Sequence, residues 1–153
     1  MNLRRRLAKS AVLRLRTSKA KGNLPMTGKY MAYVGSYSYT GKAKGITVYD
    51  VDVEAGKFIY RCEVDNSSYL KSSQNGKILY SIADEGVVAF RVLPNGSLAR
   101  LNSAKIKGMR GCHLSTSKAD DYIFISGFHD GKITVLHLNE DGSVGDIADG
   151  VFH

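Results

Sequence analysis

The sequence predicts an all-β fold, a β-propeller of four-stranded antiparallel blades, and three observations carry that prediction. Two segments superimpose when Tyr69 is laid on His113: "YLKSSQNGKILYSIADEGVVAFRVLPNGSL" and "HLSTSKADDYIFISGFHDGKITVLHLNEDGSV". Each reads as a short strand, a polar turn, an apolar strand, an acidic turn ending in Gly, an alternating strand and an "NGS" or "DGS" turn. A partial third copy precedes them, "YMAYVGSYSYTGKAKGITVYDVDVEAGKF", in which Ile46-Thr47-Val48 matches Ile133-Thr134-Val135 letter for letter. Composition agrees, with nine Tyr, sixteen Gly and only two Pro in 153 residues. Repeats of about 40–45 residues made only of strands are the pattern of propeller blades.

The elements follow in chain order. The first 25 residues hold Arg4, Arg5, Arg6, Lys9, Arg14, Arg16, Lys19 and Lys21 and no acid. Leu3, Leu7, Ala11 and Leu15 recur every four residues, so a helix would gather them on one face. Such a basic leader has the composition of a transit peptide or of an unstructured extension. It lacks the repeat, so residues 1–25 are expected to be disordered and 26–153 to form the blades. With strands labelled a to d from the channel outward, the first copy supplies b (30–36), c (45–53) and d (57–64). The second supplies a (68–72), b (77–83), c (86–93) and d (98–106). The third supplies a (113–117), b (122–127), c (131–138) and the start of d (146–152). The first copy thus lacks a strand a, and propeller closure predicts that a missing C-terminal segment provides it. The count is two and a half to three blades, whereas a closed ring needs about four to eight. Open blade edges would then favour self-association.

Charge narrows the function classes. The net charge of +8 resides in the leader, and the remaining 14 Lys/Arg balance all 14 Asp/Glu. A basic stripe for nucleic acid is therefore not expected in the body. No apolar run approaches the ~20 residues of a membrane-spanning helix. Cys62 and Cys112 have no metal-ligand spacing and suit free thiols in a reducing, cytoplasmic setting. No metal and no cofactor is expected.

In a blade, the d–a and b–c connections share one face. That places His113 (d–a), His129 (b–c), Glu85 (b–c, one blade back), Arg110 and His153 around one mouth of the channel, with Tyr37 on the equivalent turn of the first copy. His137 lies inside strand c and reads as a surface or packing residue. Any one such residue is more often a solvated polar group than a catalyst; several on one face point to a ligand site.

The stretches "YVGSYSYTGKAKGITVYDVD", "NSSYLKSSQNGKILYSIADEGVVAF" and "CHLSTSKADDYIFISGFHDGKITVLHLNEDGSVG" resemble the seven-bladed β-propeller lactonase family, over about residues 29–153. Its members include bacterial 6-phosphogluconolactonases and fungal carboxy-muconate lactonizing enzymes. The resemblance implies a metal-free hydrolase that opens a phosphorylated sugar lactone, in carbohydrate metabolism and the pentose phosphate pathway. His113, His129, Glu85 and His153 match family positions, which implies catalytic roles for His113, His153 and Glu85 and a substrate contact for His129; Arg110 and Tyr37 are added as candidate substrate contacts by their place at the same mouth. Gly127-Phe128 replaces the family's Asn-Tyr before His129, and Gly111 stands where the family has proline. The family's later blades, with their arginines, lie beyond His153, so this chain alone is expected to be inactive. A non-catalytic binding or scaffold propeller and a muconate-type lactonizing relative are the alternatives.

Overall fold

A computed structural model describes residues 10–15, 30–36, 45–52, 57–64 and 67–152. The described residues form twelve β-strands and no helix. They run β1 (Ser10–Leu15), β2 (Tyr30–Gly35), β3 (Ile46–Asp52), β4 (Lys57–Val64), β5 (Leu70–Ser72), β6 (Ile78–Ile82), β7 (Gly86–Val92), β8 (Leu98–Lys105), β9 (Gly111–Thr116), β10 (Tyr122–Gly127), β11 (Lys132–Leu138) and β12 (Val144–Phe152). They make three antiparallel sheets in sequential order, β1–β4, β5–β8 and β9–β12, called here blades 1, 2 and 3. Each predicted strand falls within three residues of its observed bounds.

One expectation fails. Strand a of blade 1 comes from inside the basic leader: β1 pairs antiparallel with β2 from Ser10 opposite Gly35 to Leu15 opposite Tyr30. Part of residues 1–25, β1, thus lies in blade 1 of this structure. The physical reason is competition. A short isolated helix is marginal in water, whereas the inner edge of β2 offers a row of unpaired backbone donors and acceptors. Helical spacing of leucines is a weak preference, and tertiary context overrides it.

The three blades share one irregularity. A β-bulge sits between Val48 and Tyr49, between Ala89 and Phe90, and between Val135 and Leu136, at the c–d pairing in every case. It aligns the repeats to the residue: Tyr33, Tyr80 and Phe124 are the strand-b partners of Val48, Ala89 and Val135.

The core lies between blades, in two layers. Met31, Tyr33, Ile46 and Val48 of blade 1 pack on Leu70, Leu79, Val88 and Phe90 of blade 2. The other face of blade 2, with Ile78, Tyr80, Ile82, Val87 and Ala89, packs on Leu114, Ile123, Ile125, Leu136, Leu138 and Val144 of blade 3. All five residues of β6 are consequently buried. That is why β6 does not alternate: its side chains are apolar on both faces except Ser81, whose hydroxyl donates to the Ser67 hydroxyl (2.6 Å).

A repeated contact registers each blade on the next. The Tyr33 hydroxyl donates to the Gly96 carbonyl (2.8 Å) and the Tyr80 hydroxyl to the Gly142 carbonyl (3.1 Å). Both glycines lie in the turn between strands c and d of the following blade, at φ +85°. A Cβ on Gly96 would meet Met31 Cε at 2.6 Å, and one on Gly142 would meet Ile78 Cγ1 at 2.4 Å. Only glycine fits both the backbone angle and the close approach.

Candidate functional site

The mouth is built by four connections on one face: Ala83–Glu85 between β6 and β7, Ile106–Arg110 between β8 and β9, Phe128–Gly131 between β10 and β11, and Tyr69 at the entry to β5. Short turns such as these cannot satisfy their own backbone, so side chains do it. Asp130 is the main one. Its Oδ2 accepts the Met109 N–H (2.8 Å) and its Oδ1 accepts the Lys132 N–H (3.3 Å). Those backbone donors, Met109 first, hold the Asp130 carboxyl below its ordinary value. Gly108 lets the carboxylate in, since a Cβ there would stand 2.7 Å from Oδ2. Lys132 Nζ donates to the carbonyls of Ile106 (3.3 Å) and Lys107 (3.0 Å), and Thr134 Oγ1 donates to the former (3.4 Å). Lys107 sits at φ +49°, an uncommon angle for a residue with a Cβ. Blade 3 thus clamps the connection that carries Arg110.

Arg110 closes the contact from the other side. Its guanidinium pairs with the Asp84 carboxylate of the blade 2 turn. Glu85, next along, pairs instead with Lys105 of the outermost strand (2.7 Å), and both side chains are exposed. The hydrogen bond and charge of Glu85 raise Lys105 above its ordinary value. Of the two acids in this turn, the one that reaches Arg110 is Asp84.

His113 is three residues beyond Arg110, at the inner rim. The β9–β10 pairing shifts there: His113 opposes Ser126, but Gly111 opposes Gly127, which leaves Cys112 as the extra residue. Cys112 and His113 are consecutive and both exposed, although alternation would bury one of them. The Cys112 thiol donates to the Ser126 carbonyl (3.2 Å). The His113 ring lies 4.5 Å from the Tyr69 ring, tilted by 55°. His129 projects from the neighbouring turn beside Phe128, edge to face at 5.5 Å, and Phe128 is 80% exposed. His137 is exposed on β11 with its ring 5.0 Å from Tyr122, as expected of a surface residue.

The structure thus brings Arg110 and His129, on connections, and His113, near the start of β9, to one face, with Glu85 on its outer flank. Tyr37 and His153 lie outside the described residues. Sequence reasoning does not reach Asp84, Asp130 or Tyr69 as site residues. A signal exists for Asp130, in the "HDG" turn that ends at a glycine with φ +60°; no signal in one sequence pairs Asp84 with Arg110 or Tyr69 with His113. Among the described residues no group of three or more His, Cys, Asp or Glu is placed to hold a metal. Nor is any helix of them long and apolar enough to cross a membrane. An open cleft of about 700 Å³ between blades 2 and 3, lined by Tyr80, Asp120 and Asp141, opens at the opposite face. Burial pushes the Tyr80 hydroxyl there upward.

A family model described as "Lactonase, 7-bladed beta-propeller" matches residues 31–153. The chain belongs to that family. It is 32% identical to a Bacillus subtilis 6-phosphogluconolactonase over 76% of this chain, and 30% identical to one from Formosa agariphila over 73%. Among solved structures, a putative 6-phosphogluconolactonase from Bacteroides fragilis matches 80% of this chain with a TM-score of 0.70 at 31% identity. A periplasmic gluconolactonase from Pseudomonas aeruginosa matches with a TM-score of 0.69 at 16% identity, a likeness of fold alone. The chain spans 35% of the length of the two sequence relatives and 36% of the two structures.

Proposed function

We propose that the chain supplies the His113 wall of a 6-phosphogluconolactonase-type active site, hydrolysing a phosphorylated sugar lactone. The observation that carries the reading is His113 held on Tyr69 at the inner rim beside the Arg110–Asp84 pair, in a chain 32% and 30% identical to two proteins of that name. His113 accepts a proton from water as the hydroxyl oxygen adds to the lactone carbonyl. Collapse of the tetrahedral intermediate breaks the acyl–oxygen bond, and the ring oxygen takes the proton back from the imidazolium. Arg110 offers charge to the phosphate or to the developing oxyanion, and Asp84 orients it. His129 and Phe128 line the rim. The reading also gives His153 a catalytic role and Tyr37 a substrate contact, with Glu85 as a flanking acid. Side chains alone supply the chemistry, and the setting is cytoplasmic.

Three blades enclose only part of a channel, and a misplacement of about 1 Å already lowers such rates ~100-fold. The chain by itself is expected to release acid from 6-phosphogluconolactone no faster than buffer. The test grafts residues 30–153 in place of the matching third of the Bacillus subtilis relative. Hydrolysis above buffer that disappears in His113→Ala supports the reading. A chimera that folds and hydrolyses equally well after that substitution excludes His113 as the base.

A further inference from the structure

Tyr69 and His113 hold one repeat position in neighbouring blades. Leu70 pairs with Ser81 and Leu114 with Ile125, so Tyr69 opposes Ile82 as His113 opposes Ser126. Both residues lie at the inner end of the mouth, where blades 2 and 3 converge and the two rings meet at 4.5 Å.

Their support differs. His113 is exposed. Tyr69 is half-buried, packs against the core between blades 2 and 3, and is flanked by the buried Ser68 and Leu70. Its backbone is fixed as well: the Ser68 N–H donates to the Ile82 carbonyl (3.3 Å) and the Ile82 N–H to the Tyr69 carbonyl (3.0 Å). A rigid ring thus carries the more exposed imidazole.

The fold makes no use of the hydroxyl on that ring. Tyr33 and Tyr80 spend theirs on the carbonyls of Gly96 and Gly142. The Tyr69 hydroxyl has no hydrogen-bond partner among the described residues, and it is not one of their buried polar atoms, so it meets solvent. Phenylalanine would fill the same core space and keep the ring contact with His113. The polar tip of a half-buried tyrosine generally finds a partner, and at the mouth that partner comes from outside the chain.

We propose that Tyr69 is a further catalytic residue of the lactone hydrolysis assigned above to His113, its hydroxyl donating a hydrogen bond to the lactone carbonyl oxygen; the role rests on that reading. The two groups divide one electrophile. His113 takes the proton of the attacking water. The carbonyl oxygen gains negative charge as the water oxygen adds to carbon, and the Tyr69 O–H points at that charge. Tyr69 transfers no proton, and the carbonyl re-forms when the acyl–oxygen bond breaks. A donor placed where charge develops binds the transition state more strongly than the bound substrate, so its loss lowers kcat and spares KM. The Arg110 guanidinium is then left for the phosphate.

Two measurements test this. The first uses the 153-residue chain and needs no activity. The NMR signals of the His113 ring protons should carry the shift of a neighbouring aromatic ring, which Tyr69→Phe keeps and Tyr69→Leu removes. An unchanged His113 signal in Tyr69→Leu overturns the proposal, because the rings would not then meet in solution. The second uses the Bacillus subtilis chimera carrying residues 30–153, with buffer rates subtracted. Tyr69→Phe, its fold checked by circular dichroism, should lower kcat on 6-phosphogluconolactone by about 10- to 1,000-fold and leave KM within about twofold. An unchanged kcat, or a rise in KM alone, overturns the Tyr69 role while loss of activity in His113→Ala keeps the reading of His113. Activity that survives His113→Ala, or a folded chimera that does not hydrolyse, overturns both.

Discussion

Blades 2 and 3 have the same strand order, the same bulge and closely similar turns, but among the described residues blade 2 is covered on both faces and blade 3 on one. In β6 every residue is buried, whereas β10 alternates between Ile123 and Ile125 inside and Phe124 outside. The difference teaches that a blade's sequence is written for its neighbours. Tyr80 and Phe124 occupy one repeat position, and only the presence of a following blade makes the first a core residue.

Substitution at that position should break the comparison most visibly. Tyr80→Ala removes a large buried ring and is expected to destabilise the chain by about 3–5 kcal/mol. Phe124→Ala should lose well under half of that when the chain is single, because its ring is already partly hydrated. Equal losses in chemical denaturation would mean that the two faces are equivalent. Next in size is Gly142→Ala, which forces a Cβ into Ile78 and a side chain into φ +85°, at about 1–3 kcal/mol. Tyr80→Phe isolates the hydroxyl and should cost about 1 kcal/mol for its bond to the Gly142 carbonyl.

The smallest effect is on pH and concerns the mouth. The Asp130 carboxyl is held below its ordinary value near 3.8. Its contribution is present above that value and disappears as pH falls through the lowered one. Protection of the Met109 amide, its exchange relative to the intrinsic rate at each pH, should fall across that acid window in the unaltered chain. Asp130→Asn should show fast exchange at every pH, and slow exchange in that variant would remove Asp130 as the clamp.

Much of this was legible in the sequence because period, turn chemistry and alternation are local. The "NGS" and "DGS" turns and the repeated "ITV" located eleven of the twelve strands. β1 was not legible: Val12 and Leu13 pair with Tyr33 and Ala32 across a long separation, and nothing local competes with the helical spacing of Leu3, Leu7, Ala11 and Leu15. At the site, loop position brought Arg110, His113 and His129 to one face, since blade topology alone decides it. The partners of those residues were illegible, because Asp84 reaches Arg110, and Asp130 reaches Met109, only after two blades have packed.

Amide hydrogen exchange, read residue by residue on the single-chain form, tests the two-faced packing most directly. Protection tracks the stability of each cooperative unit. The amides of β6 and β7 are expected to exchange slowest, and those of β10 and β11 faster despite equivalent hydrogen-bonded pairing. Equal protection in blades 2 and 3 would contradict the account, since it would mean that the open face of blade 3 is as stable as the covered one.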